Sequence, residues 1–129
     1  MLEEAAAPSF SSLFGVWSAG TLMIDELGAL TLPVIPDPTT IIEARVEPEG
    51  GVPTDDLTSI VLPTPVANGT RLLLRTVHSA RDVVVVDSAV GSAGNIRLSG
   101  DANCTLGATT NAIVLEQTLT NVWVERARW

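Results

Sequence analysis

Few side chains in this sequence could take part in catalysis, and none of them has a suitable set of partners. His78 is the only histidine, and it stands beside Ser79 and four residues before Asp82. A serine nucleophile needs a histidine base and an orienting carboxylate in a relay, and neighbours within one turn of chain cannot adopt that geometry. We therefore interpret His78 as a turn residue and predict that the protein is not an enzyme.

The residues that could hold a metal or a phosphate group are equally isolated. Cys104 is the only cysteine, so no His/Cys cluster and no internal disulfide can form. Acidic fragments at 55–56 and 101–103 lack the spacing of a calcium-binding loop. The glycine-containing segment 91–94 precedes a predicted strand rather than a helix, which is the wrong context for a phosphate site. We predict no metal and no cofactor, and a buried structural thiol at Cys104.

Composition places the chain among small folded domains with an aliphatic core. It has 129 residues, of which 46% are hydrophobic and only 4% aromatic, and it contains no Lys. That length suits a single domain with one core. The net charge is −8, and the seven Arg are spread along the sequence between Arg45 and Arg128 without forming a basic run. A chain of this charge repels other polyanions, so we predict no nucleic-acid partner and no membrane partner.

The region from residue 70 onward has the pattern of short strands separated by turns. Predicted strands cover 70–77, 82–87, 94–98, 104–106, 112–116 and 121–128. Their spacing is typical of an all-β fold, and we predict an antiparallel β-sandwich or a jelly-roll-like barrel. The runs 72–74, 83–86 and 113–115 are apolar on both faces of a strand, so both faces need cover.

A neighbouring subunit, rather than the N-terminal section, is predicted to cover one of the two faces of these apolar strands. Charged residues bracket the apolar runs, as a polar rim surrounds the apolar centre of an interface. A tryptophan at position 129 would also be poorly placed in a monomer. The predicted subunit interface consists of Leu73, Val84, Val86, Val114 and Trp129.

The N-terminal segment is predicted to be an arm (residues 1–20) that precedes a single β-sandwich domain (residues 21–129). Four apolar residues of the arm have the i, i+3, i+4, i+7 spacing of one helical face: Phe10, Leu13, Phe14 and Trp17. Glu3 and Glu4 replace the positive start of a signal peptide, so the uncharged stretch that follows is not interpreted as one. The arm either packs on its own domain or docks on a partner protein, and we take docking as the working hypothesis.

Several segments of the C-terminal half together resemble β-rich structural proteins of tailed bacteriophages. They are Asn-Gly-Thr-Arg-Leu-Leu-Leu-Arg (68–75), Asp-Val-Val-Val-Val-Asp (82–87), Gly-Asn-Ile-Arg-Leu-Ser-Gly-Asp (94–101), Cys-Thr-Leu-Gly (104–107), Ala-Ile-Val-Leu-Glu (112–116) and Val-Trp-Val-Glu-Arg-Ala-Arg (122–128). The pattern is similar to that of capsid decoration (cement) proteins and of head- or tail-fibre domains.

The resemblance implies a non-enzymatic protein of the virion. Such proteins are typically trimeric and grip the particle with an N-terminal arm or with the faces of their sheets. The expected function is therefore capsid decoration, located on the capsid surface, with the major capsid protein and a homotrimer as partners. The chain is short and has no repeats and no heptads, which favours a decoration protein over a fibre. The alternative is a fibre or adhesin domain that binds a receptor or a glycan through loops such as 48–56.

Overall fold

The described part of the chain consists of short β-strands and two single 3₁₀ turns, with no α-helix. The computed structural model describes residues 15–36, 39–77, 80–88 and 94–129. Within them the strands are β1 (Val16–Met23), β2 (Ala29–Thr31), β3 (Ile41–Glu47), β4 (Thr54–Leu57), β5 (Ser59–Val61), β6 (Arg71–Thr76), β7 (Asp82–Val85), β8 (Ile96–Arg97), β9 (Cys104–Leu106), β10 (Ala112–Leu119) and β11 (Val122–Arg128). The 3₁₀ turns are Glu49–Gly51 and Ser99–Asp101. The prediction of an all-β fold is confirmed.

The strands form a β-solenoid, because successive passes of the chain lie side by side in parallel. β1, β3 and β6 pair in parallel in sheet A, β2 and β5 pair in sheet B, and β4 and β7 pair in sheet C. The second turn of the coil visits all three sheets in the order β3, β4, β5. The predicted antiparallel sandwich or jelly roll is therefore wrong. Turn spacing predicts strand lengths, but it is the same whether a strand pairs with its neighbour in sequence or with one a full turn away.

Antiparallel strands close the C-terminal end of the coil. The hairpin β10–β11 adds to the edge of β6, so that sheet A has the order β1-β3-β6-β10-β11-β8. β9 covers the edge of β7 in sheet C in the same way. A solenoid needs such caps, because its last turn would otherwise present unpaired backbone groups and an open core.

Alternating side chains of the strands fill the interior of the coil. Leu72, Leu74, Val83 and Val85 are fully buried. Leu73, which lies between the first two, points outward and is only half-buried. The apolar runs thus keep the ordinary period of two, with one set in the core and the other on an outer face. The largest buried side chain is Trp123, from the hairpin cap, and its exposed fraction is 0%.

The predicted arm is divided between described and undescribed residues. β1 begins at Val16, so Trp17 lies in a strand of sheet A rather than on a helix. Trp17 is half-buried and packs against the core, as does Leu22 of the same strand. Phe10, Leu13 and Phe14 lie outside the described residues, as do His78 and Ser79. The docking role of the arm stays a prediction.

A side chain takes the place of a strand where the third turn of the coil passes sheet B. Asn95 accepts a hydrogen bond from the backbone N of Ile60 at 2.9 Å, and its own Nδ2 donates to the Ile60 carbonyl at 2.8 Å. One amide thus satisfies both backbone groups that a neighbouring strand would otherwise pair. Gly94 precedes it in a very close approach: an added Cβ would lie 2.6 Å from the Thr58 carbonyl oxygen and would overlap Ser88.

Replacing Gly94 by Ala is expected to lower the free energy of unfolding by about 2 kcal/mol, because two segments of the coil must separate to admit one methyl group. Denaturant unfolding would measure the change. G107A is the matched control, since the tightest contact of its Cβ would be with the flexible Asp82 carboxylate, at 3.2 Å. Equal effects of the two substitutions would show that the close approach at Gly94 does not constrain the coil.

Candidate binding face

The outer face of sheet A carries most of the residues predicted to contact another subunit. Leu73 of β6 is the register partner of Val114 of β10, and both are half-buried on the outer side. Trp129 pairs through its backbone with Ala112 at the end of the same strand. Val84 and Val86 do not join them, because Val84 lies on the outer side of sheet C and Val86 follows the end of β7. The predicted interface is thus divided between two faces, and its role in subunit contact stays a prediction.

A β-bulge in the last strand places Trp129 on the outer face. Glu125 is the register partner of Leu115, whereas Ala127 is the partner of Val114, so Arg126 is an extra residue. Strict alternation from Trp123 would put Trp129 on the inner side together with it. Because one inserted residue reverses every later side chain, Trp129 instead faces outward. Its side chain is 55% exposed.

The fold also collects positive charge that is dispersed in the sequence. Five of the seven Arg lie on the outer face of sheet A: Arg45, Arg71, Arg75, Arg97 and Arg126. Only three acidic residues share that face, namely Glu43, Glu47 and Glu116. The rest of the chain keeps twelve acids and two Arg. An acidic protein therefore presents one face of net positive charge, which favours partners of opposite sign.

An apolar stripe runs along the hairpin on the same face. We call the outward residues of β10 and β11 the hairpin stripe: Val114, Leu119, Val122, Val124 and Ala127. Leu119, at the turn of the hairpin, is 65% exposed. Two bulges in the β10–β11 pairing keep these residues on one side although their spacing in sequence is irregular. Leu119 and Ala127 are exposed and the three Val are half-buried, and apolar residues grouped in this way are typical of a protein contact surface.

A row of ion pairs crosses the hairpin stripe. Glu116 accepts from Arg71 Nε at 3.2 Å and from Arg126 Nε at 3.4 Å. Both guanidiniums are about half exposed, so each pair contributes at most about 1 kcal/mol in an isolated protomer. A partner that covers the face would exclude solvent from these ion pairs and so strengthen them, provided that no charge is left without a partner.

A shallow groove of about 420 Å³ occupies the other half of the face, next to the edge strand β1. Arg45 and Arg75 line it and are direct register partners on parallel strands. Ser18 and Thr21 of β1 contribute hydroxyl groups, and Glu43 contributes a carboxylate. Arg75 also stacks on the Trp129 ring, with its guanidinium carbon 5.9 Å from the ring centroid. The groove therefore combines charge, hydroxyl groups and, at its border, an aromatic side chain.

A buried carboxylate lies on the inner side of the hairpin cap. Glu125 accepts hydrogen bonds from Arg128 at 2.5 Å and 2.6 Å and from the backbone N of Ser99 at 2.9 Å. These bonds, the Arg128 bond foremost, lower the pKa of Glu125. Burial raises the pKa of the neighbouring Cys104 thiol, which makes it a poor nucleophile. The cluster has the character of a structural ion pair and lacks a reactive group.

The described residues contain no group of three or more His, Cys, Asp or Glu that could hold a metal ion. They also contain no helix long and apolar enough to cross a membrane. The chain matches no protein-family model, and a search of curated proteins gives no match. The outer face of sheet A is thus the feature from which a function can be argued.

Sequence reasoning missed the groove because its residues come together only through parallel pairing. Arg45 and Arg75 are thirty positions apart, and an antiparallel sandwich gives no reason to place them side by side. A signal was nevertheless present in the alternation of residues 42–47, where Arg45 is assigned to the solvated side. No such alternation surrounds Arg75, because residues 72–74 are all Leu, and the pairing of the two strands is a property of the coil.

Proposed function

We propose that this protein is a non-enzymatic structural protein of a tailed-bacteriophage virion, where it acts as a decoration (cement) protein on the capsid exterior. The likeness of residues 68–129 to β-rich phage structural proteins supports the virion context. The observation that carries the proposal is the hairpin stripe, an apolar row on the face that also holds five of the seven Arg. A second copy of this chain covers the stripe in a homotrimer, and the major capsid protein is the surface on which the trimer sits.

The proposed subunit contact is limited to the hairpin half of the face, so that the groove beside β1 stays open. Leu73 lies directly beside Val114 of the stripe and extends its apolar area toward β6. Charged residues surround and cross this apolar area, as they do in protein interfaces.

Replacing Val122 and Val124 by Thr is expected to weaken self-association at least about tenfold, since each substitution replaces a methyl group, worth about 0.8 kcal/mol when buried, by a hydroxyl group that water solvates better. Thr keeps the β-branched shape and preserves the strand. Sedimentation velocity over a dilution series would measure the oligomer. The matched control is V61T, which changes an exposed Val of β5 on sheet B.

The same samples test capsid decoration through co-sedimentation with capsids of the tailed phage that encodes the protein under this proposal. The unaltered protein is expected to bind at a fixed number of copies per shell, and the V122T/V124T variant is expected to bind more weakly because trimers attach by several contacts at once. A wild-type protein that remains monomeric at high concentration and does not bind shells would contradict the proposal.

A second candidate function is the fibre or adhesin domain that binds a glycan. The groove at Arg45 and Arg75 favours it, because guanidinium, hydroxyl and carboxylate groups line this groove, which adjoins the hairpin half of the face at Leu73. In the loop 48–56 the backbone N of Glu49 donates a 2.8 Å hydrogen bond to the Asp55 carboxylate, and a role of this loop in glycan binding stays a prediction.

A further inference from the structure

We propose that the groove on the β1–β6 half of sheet A binds an acidic saccharide, with Arg45 and Arg75 holding the carboxylate of one sugar unit. This inference does not depend on whether the protein decorates a capsid. It rests on four features of the groove: an unusual pair of cations, a matching net charge, an open wall, and an aromatic side chain at one border.

The two cations are placed where a sheet ordinarily avoids them. Arg45 and Arg75 are direct partners on adjacent parallel strands, which lie about 4.8 Å apart, and both side chains project from the same face. Like charges in that position destabilise a sheet. Within the described residues neither guanidinium forms an ion pair with a carboxylate. Two guanidinium groups that line one groove on neighbouring strands, without an ion-pair partner, are suited to binding a carboxylate from outside through charge-assisted hydrogen bonds.

The charge of the groove fits a ligand with a single negative charge at the site. Glu43 lines the groove beside the two Arg, so the local sum is one positive charge. Glu43 would repel a phosphate dianion or a run of acidic peptide residues, whereas it can accept hydrogen bonds from the hydroxyl groups of a sugar. Ser18 and Thr21 add hydroxyl groups on the opposite wall. This combination of guanidinium, carboxylate and hydroxyl groups favours a saccharide over the other anions.

The wall formed by β1 is low because of a bulge. The β1–β3 register shifts between Ser18 and Gly20, and Gly20 has a φ of +76°. No atom lies within 4 Å of where a Cβ of Gly20 would stand, so the space above it is open. Bulges of this kind are common beside binding sites, where they redirect side chains. The volume of about 420 Å³ lies in the range of small-ligand sites.

Trp129 supplies an apolar surface at the border of the groove. Arg75 covers part of its ring, and the small residue Ala112 lies between them in the sheet and is completely buried. The Trp129 side chain nevertheless keeps 55% of its surface exposed. Its ring contacts Arg75, which is itself one of the residues that line the groove. A sugar whose carboxylate lies on Arg75 can therefore place its C–H face against the indole.

Isothermal titration with two acidic saccharides and their neutral counterparts tests the proposal: sialyllactose against lactose, and trigalacturonic acid against galactotriose. The acidic members are expected to bind at least about tenfold more tightly than the neutral ones, and more weakly as salt is raised. No saturable binding of any acidic saccharide up to about 10 mM, where even a 1 mM site is visible, would overturn it.

Three variants locate the site. R45Q and R75Q are each expected to weaken acidic-saccharide binding at least about tenfold, because each removes half of the carboxylate clamp. R126Q is the matched control: it makes the same charge change on the same face outside the groove, and it is expected to alter affinity less than about twofold. Equal loss in R126Q would show that only the general charge of the face attracts the ligand, and would overturn the site.

The remaining variant separates a saccharide from other anions. E43Q is expected to weaken sialyllactose binding by replacing a charged acceptor of its hydroxyl groups with a weaker, neutral one, and to strengthen binding of hexaglutamate or inorganic phosphate by removing a repelling charge. If hexaglutamate or phosphate binds the unaltered protein more tightly than sialyllactose does, the groove is a site for that anion and the saccharide assignment is wrong. A Tm of each variant within about 4 °C of the parent's, which corresponds to about 1 kcal/mol in the free energy of unfolding, confirms that the fold is kept.

Discussion

Replacing Trp123 by Ala is expected to lower the free energy of unfolding by about 3–5 kcal/mol, the largest effect of any substitution considered for this chain. Trp123 is the largest fully buried side chain, and it comes from the hairpin that caps the coil. Its loss leaves a cavity at the point where β11 meets β8. Thermal unfolding would show the change as a fall in Tm of about 10–20 °C. The free energy of unfolding of a domain of this size is about 5–15 kcal/mol in total, so the variant retains only a small part of its stability.

W123F keeps the test informative if W123A fails to fold. The indole Nε1 of Trp123 is buried without a hydrogen-bond acceptor among the described residues. Phe leaves a smaller cavity, costing about 1 kcal/mol, and removes an unpaired donor whose burial costs about 1–3 kcal/mol. The two contributions oppose each other, so the free energy of unfolding of W123F is expected to lie within about 1 kcal/mol of that of the parent. A loss as large as that of W123A would show that Nε1 has a partner, such as a buried water molecule.

The strands were largely predictable from the sequence, whereas their arrangement was not. Predicted strands at 104–106 and 121–128 match β9 and β11 closely, because alternation and turn residues are local properties. The parallel coil depends on contacts between β3 and β6, whose register partners are thirty residues apart. No local pattern encodes that distance, since strands apolar on both faces suit a sandwich and a solenoid equally.

The candidate site shows the same limit at the level of single residues. Leu73 and Val114 were chosen for their apolar runs and are adjacent in sheet A. The orientation of Trp129 depends on the extra residue Arg126, and a bulge has no reliable sequence signature. The absence of a basic run was correctly read from the sequence, but a basic face arises from strands that are far apart along the chain. Charge distribution on a solenoid follows from its register, which only the fold determines.

Replacing Arg128 by Ala is expected to lower the free energy of unfolding by about 2–3 kcal/mol, because it leaves the Glu125 carboxylate buried with hydrogen bonds from Ser99 but without its charged partner. Removing one partner of a fully buried ion pair lowers the free energy of unfolding by roughly 3–5 kcal/mol. A smaller loss is expected here because the Arg128 side chain is 37% exposed. R126A is the matched control: its pair with Glu116 lies on the surface, and its loss is expected to cost less than about 1 kcal/mol. Urea unfolding at neutral pH would measure both variants.

The pH dependence of stability identifies Glu125 as the origin of that cost. Its pKa is lower in the folded protein than in the unfolded chain, chiefly because of the Arg128 hydrogen bonds. As pH falls, the unfolded chain therefore binds the proton before the folded protein does. The stability that the Glu125–Arg128 pair contributes is complete at neutral pH. It is lost as pH falls below the ordinary glutamate pKa toward the lower pKa of the folded protein. The gap in unfolding free energy between the parent and R128A should shrink over that acidic range.

In the E125Q background, R128A should cost at least about 1 kcal/mol less than in the parent, because no buried charge remains. A gap that stays constant with pH, or full additivity of the two substitutions, would assign the loss in R128A to packing of the Arg128 side chain instead of to its charge.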